Sequence, residues 1–570
     1  MTSKPKQKLE LNWIGKEKRP RLEPRILMEV KELSYRSEAA EQLADDLFAD
    51  EIDAPKAFDD NILIQGDNLL ALKALEQKYA GQVKLVYIDP PYNTGSAFDH
   101  YDDGLEHSMW LSLIAERLKL LWTLLHPTEG TLWVSIDDRE MAYLKIVLDE
   151  ICGRDCFIAS NIWQKRYSRE NREAIGDSHE YILVYAKNAA AFKQIRNPLP
   201  LGDKQLKLFK NPDNDPSGPW QSVSLTAQGY RPNQMYEIVA PNGKKHRPPE
   251  GSCWKIIEAN YFKELEEGRI YFGKDGNGVP RRKNYLKDAK GLIPWTWWPH
   301  EDVGHSDEAK KEQHSLFGKD RAFDTPKPER LIKQIIHIAS NPGDLILDSF
   351  AGSGTTGAVA HKMGRRWILI ELGDHCETHI VPRLKKVIDG EDQGGISKSV
   401  NWQGGGGFRY FRLAPSLLKK DNWGNWIINK EYNAEMLSEA MCKHMGFTYA
   451  PSQKHFWMHG YSTETDFIYV TTGSLSQDQL KVISDEVGKD RSLVICCKAF
   501  MADAEQFPNL TLKKIPQAIL HKCEWDHDDY SFSLNVLPDE DEEQDDVDLD
   551  EDESEEAPES EKRSTELSEE

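Results

Sequence analysis

From residue 61 onward the apolar and polar positions alternate between two periods. "NILIQGD" is a short apolar run closed by Gly66-Asp67, and "NLLALKALEQKYAG" then repeats leucine at helical spacing before ending on glycine. "VKLVYID" is a second short apolar run, and "HSMWLSLIAERLKLLWTLLHPTEG" predicts a long amphipathic helix stopped by Pro127 and Gly130. "GTLWVSIDD" predicts a strand, "REMAYLKIVLDEIC" a helix, and "CFIASNIWQKR" and "EYILVYAK" two further strands. Strands that alternate with helices in this way point to an α/β domain on a largely parallel sheet.

The alternation stops near residue 188 and resumes near residue 323. The stretch between is rich in Pro, Gly, Trp and basic groups and keeps no period. Beyond it, "PKPERLIKQIIHIAS" predicts a helix opened by prolines, which the first turn tolerates. "GDLILDSFAGSGTTGAVAHKMG" reads as strand, glycine loop and helix, and "RRWILIELGD" as a strand ending in Glu371. The expectation is one doubly wound, mostly parallel sheet assembled from residues 61–187 and 323–413, with a module at 188–322 inserted between them. An N-terminal extension (1–60), a C-terminal α+β region (414–537) and a tail (538–570) complete the division.

Charge alters the picture in one respect. The chain of 570 residues carries a net charge of −23, but residues 539–570 alone hold 19 Asp and Glu against Lys562 and Arg563. The body before them is only mildly acidic, so local phosphate-binding patches stay possible. The tail has too little apolar surface to fold and is predicted to be disordered. No apolar run is long enough to cross a bilayer and the charged start lacks an apolar signal core, so no membrane association and a cytoplasmic address are expected. The eight cysteines are scattered without paired zinc spacing, so reduced core thiols and no metal site are expected.

Two stretches carry chemistry. In "DLILDSFAGSGTTGAVA", Gly352, Gly354 and Gly357 sit at a strand-to-helix turn, where backbone N–H groups can approach a ligand. No Lys precedes Thr355-Thr356, which excludes a Walker phosphate loop. A dinucleotide-binding loop with Glu371 on the ribose hydroxyls, or a tight turn without a ligand, both remain open. In "VKLVYIDPPYNTGS" a strand runs into Asp89-Pro90-Pro91-Tyr92. That corner is either a plain strand end or a rigid mount on which Asp89 and a proline carbonyl accept hydrogen bonds from an amino group while Tyr92 stacks on a flat ring.

Taken together, "DPPYNTG" followed far downstream by "DSFAGSGTT" resembles the β-class of S-adenosylmethionine-dependent DNA amino-methyltransferases. With "GDNLLALKAL", "FDTPKPERLI", "AHKMGRRWILIELGDH" and "GGGGFRY" the pattern over residues 60–450 is similar to modification (Mod) subunits of type III restriction–modification systems. The resemblance implies a circularly permuted, Rossmann-like class I methyltransferase fold with 188–322 as the target-recognition module. It implies adenine N6 in double-stranded DNA as the target, with base flipping; cytosine N4, an RNA base, a solitary enzyme and a recognition module without catalysis stay as alternatives. It implies that Asp89, Pro90, Pro91 and Tyr92 hold the target base. Phe350, Ala351, Gly352, Ser353, Gly354, Thr355 and Glu371 would hold S-adenosyl-L-methionine, with Asp67 towards its adenine and Lys327-Pro328 beside its methionine end. A homodimer and a restriction (Res) subunit are the implied partners. Within the insert, the basic groups of "KKHR" (244–247) and "RRK" (281–283) are expected to suit phosphate or guanine contacts, with solvated loop charges as the alternative.

Overall fold

The computed structural model describes residues 10–37, 61–93, 103–169, 174–323, 325–501 and 506–530; the expected acidic tail and much of the N-terminal extension lie outside these. Eleven strands form the central sheet. Ten of them are β1 (Leu27–Glu29), β2 (Ile62–Gln65), β3 (Leu85–Ile88), β4 (Thr131–Ile136), β5 (Phe157–Gln164), β6 (His179–Ala186), β7 (Trp297–Trp298), β8 (Leu345–Asp348), β9 (Arg366–Glu371) and β10 (Gly407–Leu413). They lie in the order β1-β10-β2-β9-β8-β3-β4-β6-β5-β7, and Tyr35–Arg36 pairs with β10 off this path.

The strands from β10 across to β4 are all parallel. β6 is antiparallel to both its neighbours, and β1 is antiparallel to β10. Parallel strands need crossover helices on both faces, which is why these strands read as continuous apolar runs. Ile62, Ile64, Val86, Ile88, Leu345 and Leu347 pack on one face against α1 (Asn68–Tyr79), α2 (Asp103–Leu124) and α3 (Met141–Cys152). Leu63, Leu85, Tyr87, Ile346 and Leu369 pack on the other face. There they meet α5 (Glu329–Ala339), α6 (Thr355–Lys362) and α7 (Val381–Ile388), which follow α4 (Ser306–Phe317) in the chain. The sheet is thus doubly wound. Its order reverses between β8 and β3, the kind of switch point at which such sheets take ligands.

Three placements depart from a simple division of the chain. β2 belongs to the first sequence half but lies between β9 and β10 of the second, with Ile64 opposite both Ile370 and Phe411. β1 extends the sheet beyond β10. β7, from the irregular stretch, adds a parallel edge to β5, and its Trp298 is buried against Trp133 at 6.2 Å while Trp297 stays exposed.

The rest of 188–322 has its own small core of Leu225, Ile238, Trp254, Tyr261, Ile270 and Phe272 under a three-stranded antiparallel sheet. The C-terminal region builds a five-stranded mixed sheet around Asp466–Val470 and Ser492–Cys497. All eight cysteines are free thiols, seven of them buried. No helix among the described residues is long and apolar enough to cross a membrane.

Candidate active site

β3 is buried at all four positions and delivers Asp89 to the C-terminal edge of the sheet. Pro90 and Pro91 fix the backbone there, and Asn93 takes a positive φ of 59°. The corner is fastened from below. Trp110 on α2 donates from its indole Nε1 to the Pro91 carbonyl at 2.7 Å. Asn93 donates from Nδ2 to Oε1 of the buried Glu140 at 2.7 Å, and His107 Nδ1 lies at the same distance from that oxygen. Burial raises the Glu140 pKa, with the Asn93 and His107 bonds opposing it.

Above this base sits a compact charged cluster. Tyr92 donates its hydroxyl to Asp89 Oδ1 at 2.7 Å and lies 3.0 Å from Glu180 Oε2. Lys327 Nζ lies 2.8 Å from Asp89 Oδ2 and 3.4 Å from Glu180 Oε2, and 5.1 Å from the centre of the Tyr92 ring. Burial disfavours the Lys327 ammonium, but Asp89 and Glu180 outweigh that and hold its pKa above the ordinary value. Burial, reinforced by the same two carboxylates, pushes the Tyr92 phenol well above its usual range, so it stays a hydroxyl donor. Lys165 approaches the other oxygen of Glu180 at 3.5 Å and is anchored by Asp177 at 2.6 Å. Trp163 stands behind Lys327, its indole donating to the Gly304 carbonyl at 2.9 Å.

The glycine loop emerges beside this corner, because β8 pairs with β3 with Leu347 opposite Val86. Asp348 is buried and accepts from Phe350 N at 3.0 Å and from the Thr356 hydroxyl at 2.6 Å. Gly354 adopts φ +74°, and a Cβ there would meet Ile380 Cγ2 at 2.9 Å, so the loop requires glycine. Glu371 closes β9 next door and accepts from Gly352 N at 2.8 Å, from Leu372 N and Gly373 N, and approaches His375 at 3.1 Å. Burial works against its charge, but the His375 contact and the backbone donors hold its pKa below the ordinary value.

Beneath the loop, the buried Arg383 donates to Thr355 Oγ1 at 2.7 Å, to the Ser353 carbonyl at 3.2 Å and to Glu329 Oε1 at 3.0 Å. Glu329 in turn holds the buried Lys362, which Asp392 shares at 2.7 Å. Pro328 caps the helix that carries Glu329.

Asp67 ends the loop after β2 and has a heavily engaged carboxylate. Its Oδ1 caps α1 at Leu70 N, and its Oδ2 accepts from Arg117 and from Tyr530 N, each at 3.1 Å. The next residue, Asn68, donates to the Ser349 carbonyl at 2.7 Å, joining this turn to the glycine loop.

The structure therefore gathers Asp89, Pro90, Pro91, Tyr92 and Lys327 at one strand end and Phe350 to Thr355 with Glu371 at its neighbour. Lys327 meets Asp89 directly, a contact its place in "TPKPERL" did not reveal. Glu180, Lys165, Trp163 and Arg383 were not singled out from sequence. An acid opening the apolar run "EYILVY" was the available signal for Glu180, since an unpaired buried carboxylate is rare.

The insert's basic runs are largely occupied within the protein. Lys283 is buried between Asp213 and Asp215, at 2.6 and 2.5 Å. Arg282 pairs with Glu264 at 2.8 Å, and Lys245 and Arg247 share Glu237. Lys283 braces a fold and is withdrawn from any surface.

The loop fits a nucleoside carrying a vicinal diol. Glu371 keeps the charged form that accepts hydroxyl bonds, and the Ser349 hydroxyl is buried with no partner among the described residues.

A corner that presents a carboxylate and an aromatic ring thus stands beside a glycine loop on the doubly wound α/β sheet. Residues 83–381 match the family model described as "DNA methylase", and the chain belongs to that family. It is 37% identical over 333 residues to the type III restriction-modification enzyme StyLTI Mod subunit of Salmonella typhimurium, covering 52% of this chain and 49% of that protein. It is 30% identical over 372 residues to the type II methyltransferase M.KpnI of Klebsiella pneumoniae, covering 57% of this chain and 84% of that protein. The chain spans about half the length of the Mod subunits it matches. Among solved structures, PvuII DNA methyltransferase (cytosine-N4-specific) covers 61% of this chain at 15% identity and a TM-score of 0.33.

Proposed function

We propose that this protein is a site-specific DNA methyltransferase that transfers a methyl group from S-adenosyl-L-methionine to adenine N6 in duplex DNA. The observation that carries the reading is the side-by-side emergence of the Asp89–Tyr92 corner and the glycine loop from adjacent parallel strands. When bound, the cofactor supplies an electrophilic methyl group. Gly352 to Thr355 and Glu371 would hold its nucleoside, and Asp67 would lie towards its adenine.

The remaining demands fall on the protein. An exocyclic amine is a poor nucleophile because its lone pair is delocalised into the ring. Asp89 and the Pro90 carbonyl accept its two hydrogens and favour a pyramidal nitrogen whose lone pair is free to attack. The Asp89 carboxylate also stabilises the positive charge that grows on nitrogen. These are contributions of positioning and fixed electrostatics. The target must leave the helical stack at a cost of a few kcal/mol, and stacking on Tyr92 returns about 1–3 kcal/mol.

The inserted residues 188–322 are the proposed DNA reader, through groups other than Lys283. The similarity to Mod subunits supports a modification role in a type III system, with a homodimer and a Res subunit as partners and the cytoplasm as the site of action. Nucleoside analysis of genomic DNA from cells expressing the protein tests the reaction. N6-methyladenine at one recurrent sequence is expected; N4-methylcytosine, or no modified base, overturns it.

A further inference from the structure

Asp89 does not stand alone: it shares both its hydroxyl donor and its cation with Glu180. If Lys327 had only Asp89 to face, the two would neutralise each other, and little field would remain at the oxygens that meet a developing cation. Glu180 changes that count. It lies 3.4 Å from the same ammonium and 3.0 Å from the same phenol. Its second oxygen faces Lys165, whose charge Asp177 already balances at 2.6 Å.

Asp89, Glu180 and Asp177 against Lys327 and Lys165 leave one net negative charge at the corner. Burial raises the pKa of the nearby acids Asp348 and Asp137, and neither adds a positive charge to the corner. Glu180 is itself nearly inaccessible, 6% exposed, whereas the Asp89 side chain keeps 24% of its surface open. The open carboxylate is the one a substrate can reach. The closed one sets the charge around it.

We propose that Glu180 is a positioning residue for methyl transfer: it draws Lys327 and the Tyr92 hydroxyl partly away from Asp89 and so preserves the negative charge of the corner that the target nitrogen meets. This rests on the methyltransferase reading above and names a group that acts through Asp89. A buried carboxylate that served only to hold the fold would show its loss in stability and in cofactor binding. One that sets the charge at Asp89 shows its loss in the chemical step.

The test compares the wild-type chain with Glu180→Gln, Lys327→Met and the double variant Glu180→Gln/Lys327→Met. The measurements are single-turnover methyl transfer to duplex DNA, cofactor affinity by calorimetry and thermal stability. Glu180→Gln removes one negative charge while keeping the shape, and is expected to slow the chemical step about 10²-fold, of the order of removing one preorganised electrostatic contact. Its cofactor affinity is expected to stay within about threefold, since the glycine loop is untouched. The double variant restores the net charge, and is expected to be less impaired than the product of the two single losses.

Strictly multiplicative losses, an unchanged chemical step in Glu180→Gln, or a loss matched by an equal fall in stability and cofactor affinity would each overturn the proposal. A wild-type chain that transfers no methyl group would sink the underlying reading, which an active wild type with an unaffected Glu180→Gln would not.

Discussion

The two strand ends that meet at the reversal of the sheet are built in opposite ways. At the end of β3 the clustered groups are side chains: Asp89, Tyr92, Lys327 and Glu180, joined in a ring of four contacts of 2.7 to 3.4 Å beside two prolines. At the end of β8 the charges lie underneath the loop, where Arg383, Glu329 and Lys362 are all buried. One end keeps a charged carboxylate partly open to solvent. The other hides charge so that a turn keeps its shape. Substitutions at the first should therefore change a rate and leave the fold alone, whereas substitutions under the second should change the fold and, through it, cofactor affinity.

The sharpest way to break this contrast is Asp89→Ala. Methyl transfer should fall by about 10³-fold or more, while cofactor affinity and thermal stability stay near wild type. A parallel loss of cofactor binding would show that the two ends are not separable.

The next effect belongs to the other end. Arg383→Met leaves Glu329 without one of its two buried cations, and should cost about 3 kcal/mol of stability by denaturant unfolding, with a weakened cofactor site. At the first end again, Tyr92→Ala should cost about 1–3 kcal/mol in binding an extruded base, read as weaker trapping of DNA carrying a fluorescent adenine analogue. Tyr92→Phe should keep most of that stacking while losing the hydroxyl shared by Asp89 and Glu180.

The smallest effect is the pH dependence of the Glu371–His375 contact. Burial disfavours the charged His375, but Glu371 outweighs it and raises the His375 pKa above its ordinary 6.5. That contribution is complete below 6.5 and is lost as pH rises through the raised value. Glu371 has its pKa held below the ordinary 4.5, so its own contribution is lost as pH falls through that lower value. Thermal stability should decline modestly above pH 6.5, and His375→Phe should flatten the slope.

The sheet and its winding were readable because strands buried on both faces must be apolar throughout, and "LILD", "ILIE" and "LVYI" show that plainly. The positions of Asp89 and the glycine loop were readable for the same reason, as each follows such a run. Which strands become neighbours was less accessible. β2 lies deep among strands more than 300 residues later in sequence, a pairing that no local period encodes.

Contacts between long side chains escaped for a similar reason. Lys327 reaches Asp89 from a loop, and Glu180 reaches Lys327 and Tyr92 from a strand start, groups that only the folded sheet brings close. Basic clusters misled in a different manner: Lys283 looks like a phosphate ligand in "RRK", but two aspartates some 70 residues earlier claim it.

One measurement bears most directly on the claim that these two strand ends form a single site. Duplex DNA is incubated with cofactor labelled on its methyl group, using wild-type protein and Asp89→Ala in parallel, and the products are digested and separated as nucleosides. Label is expected in N6-methyladenine with the wild type and almost none with the variant, although both bind the cofactor. Label in N4-methylcytosine, or equal labelling by the two proteins, would contradict it.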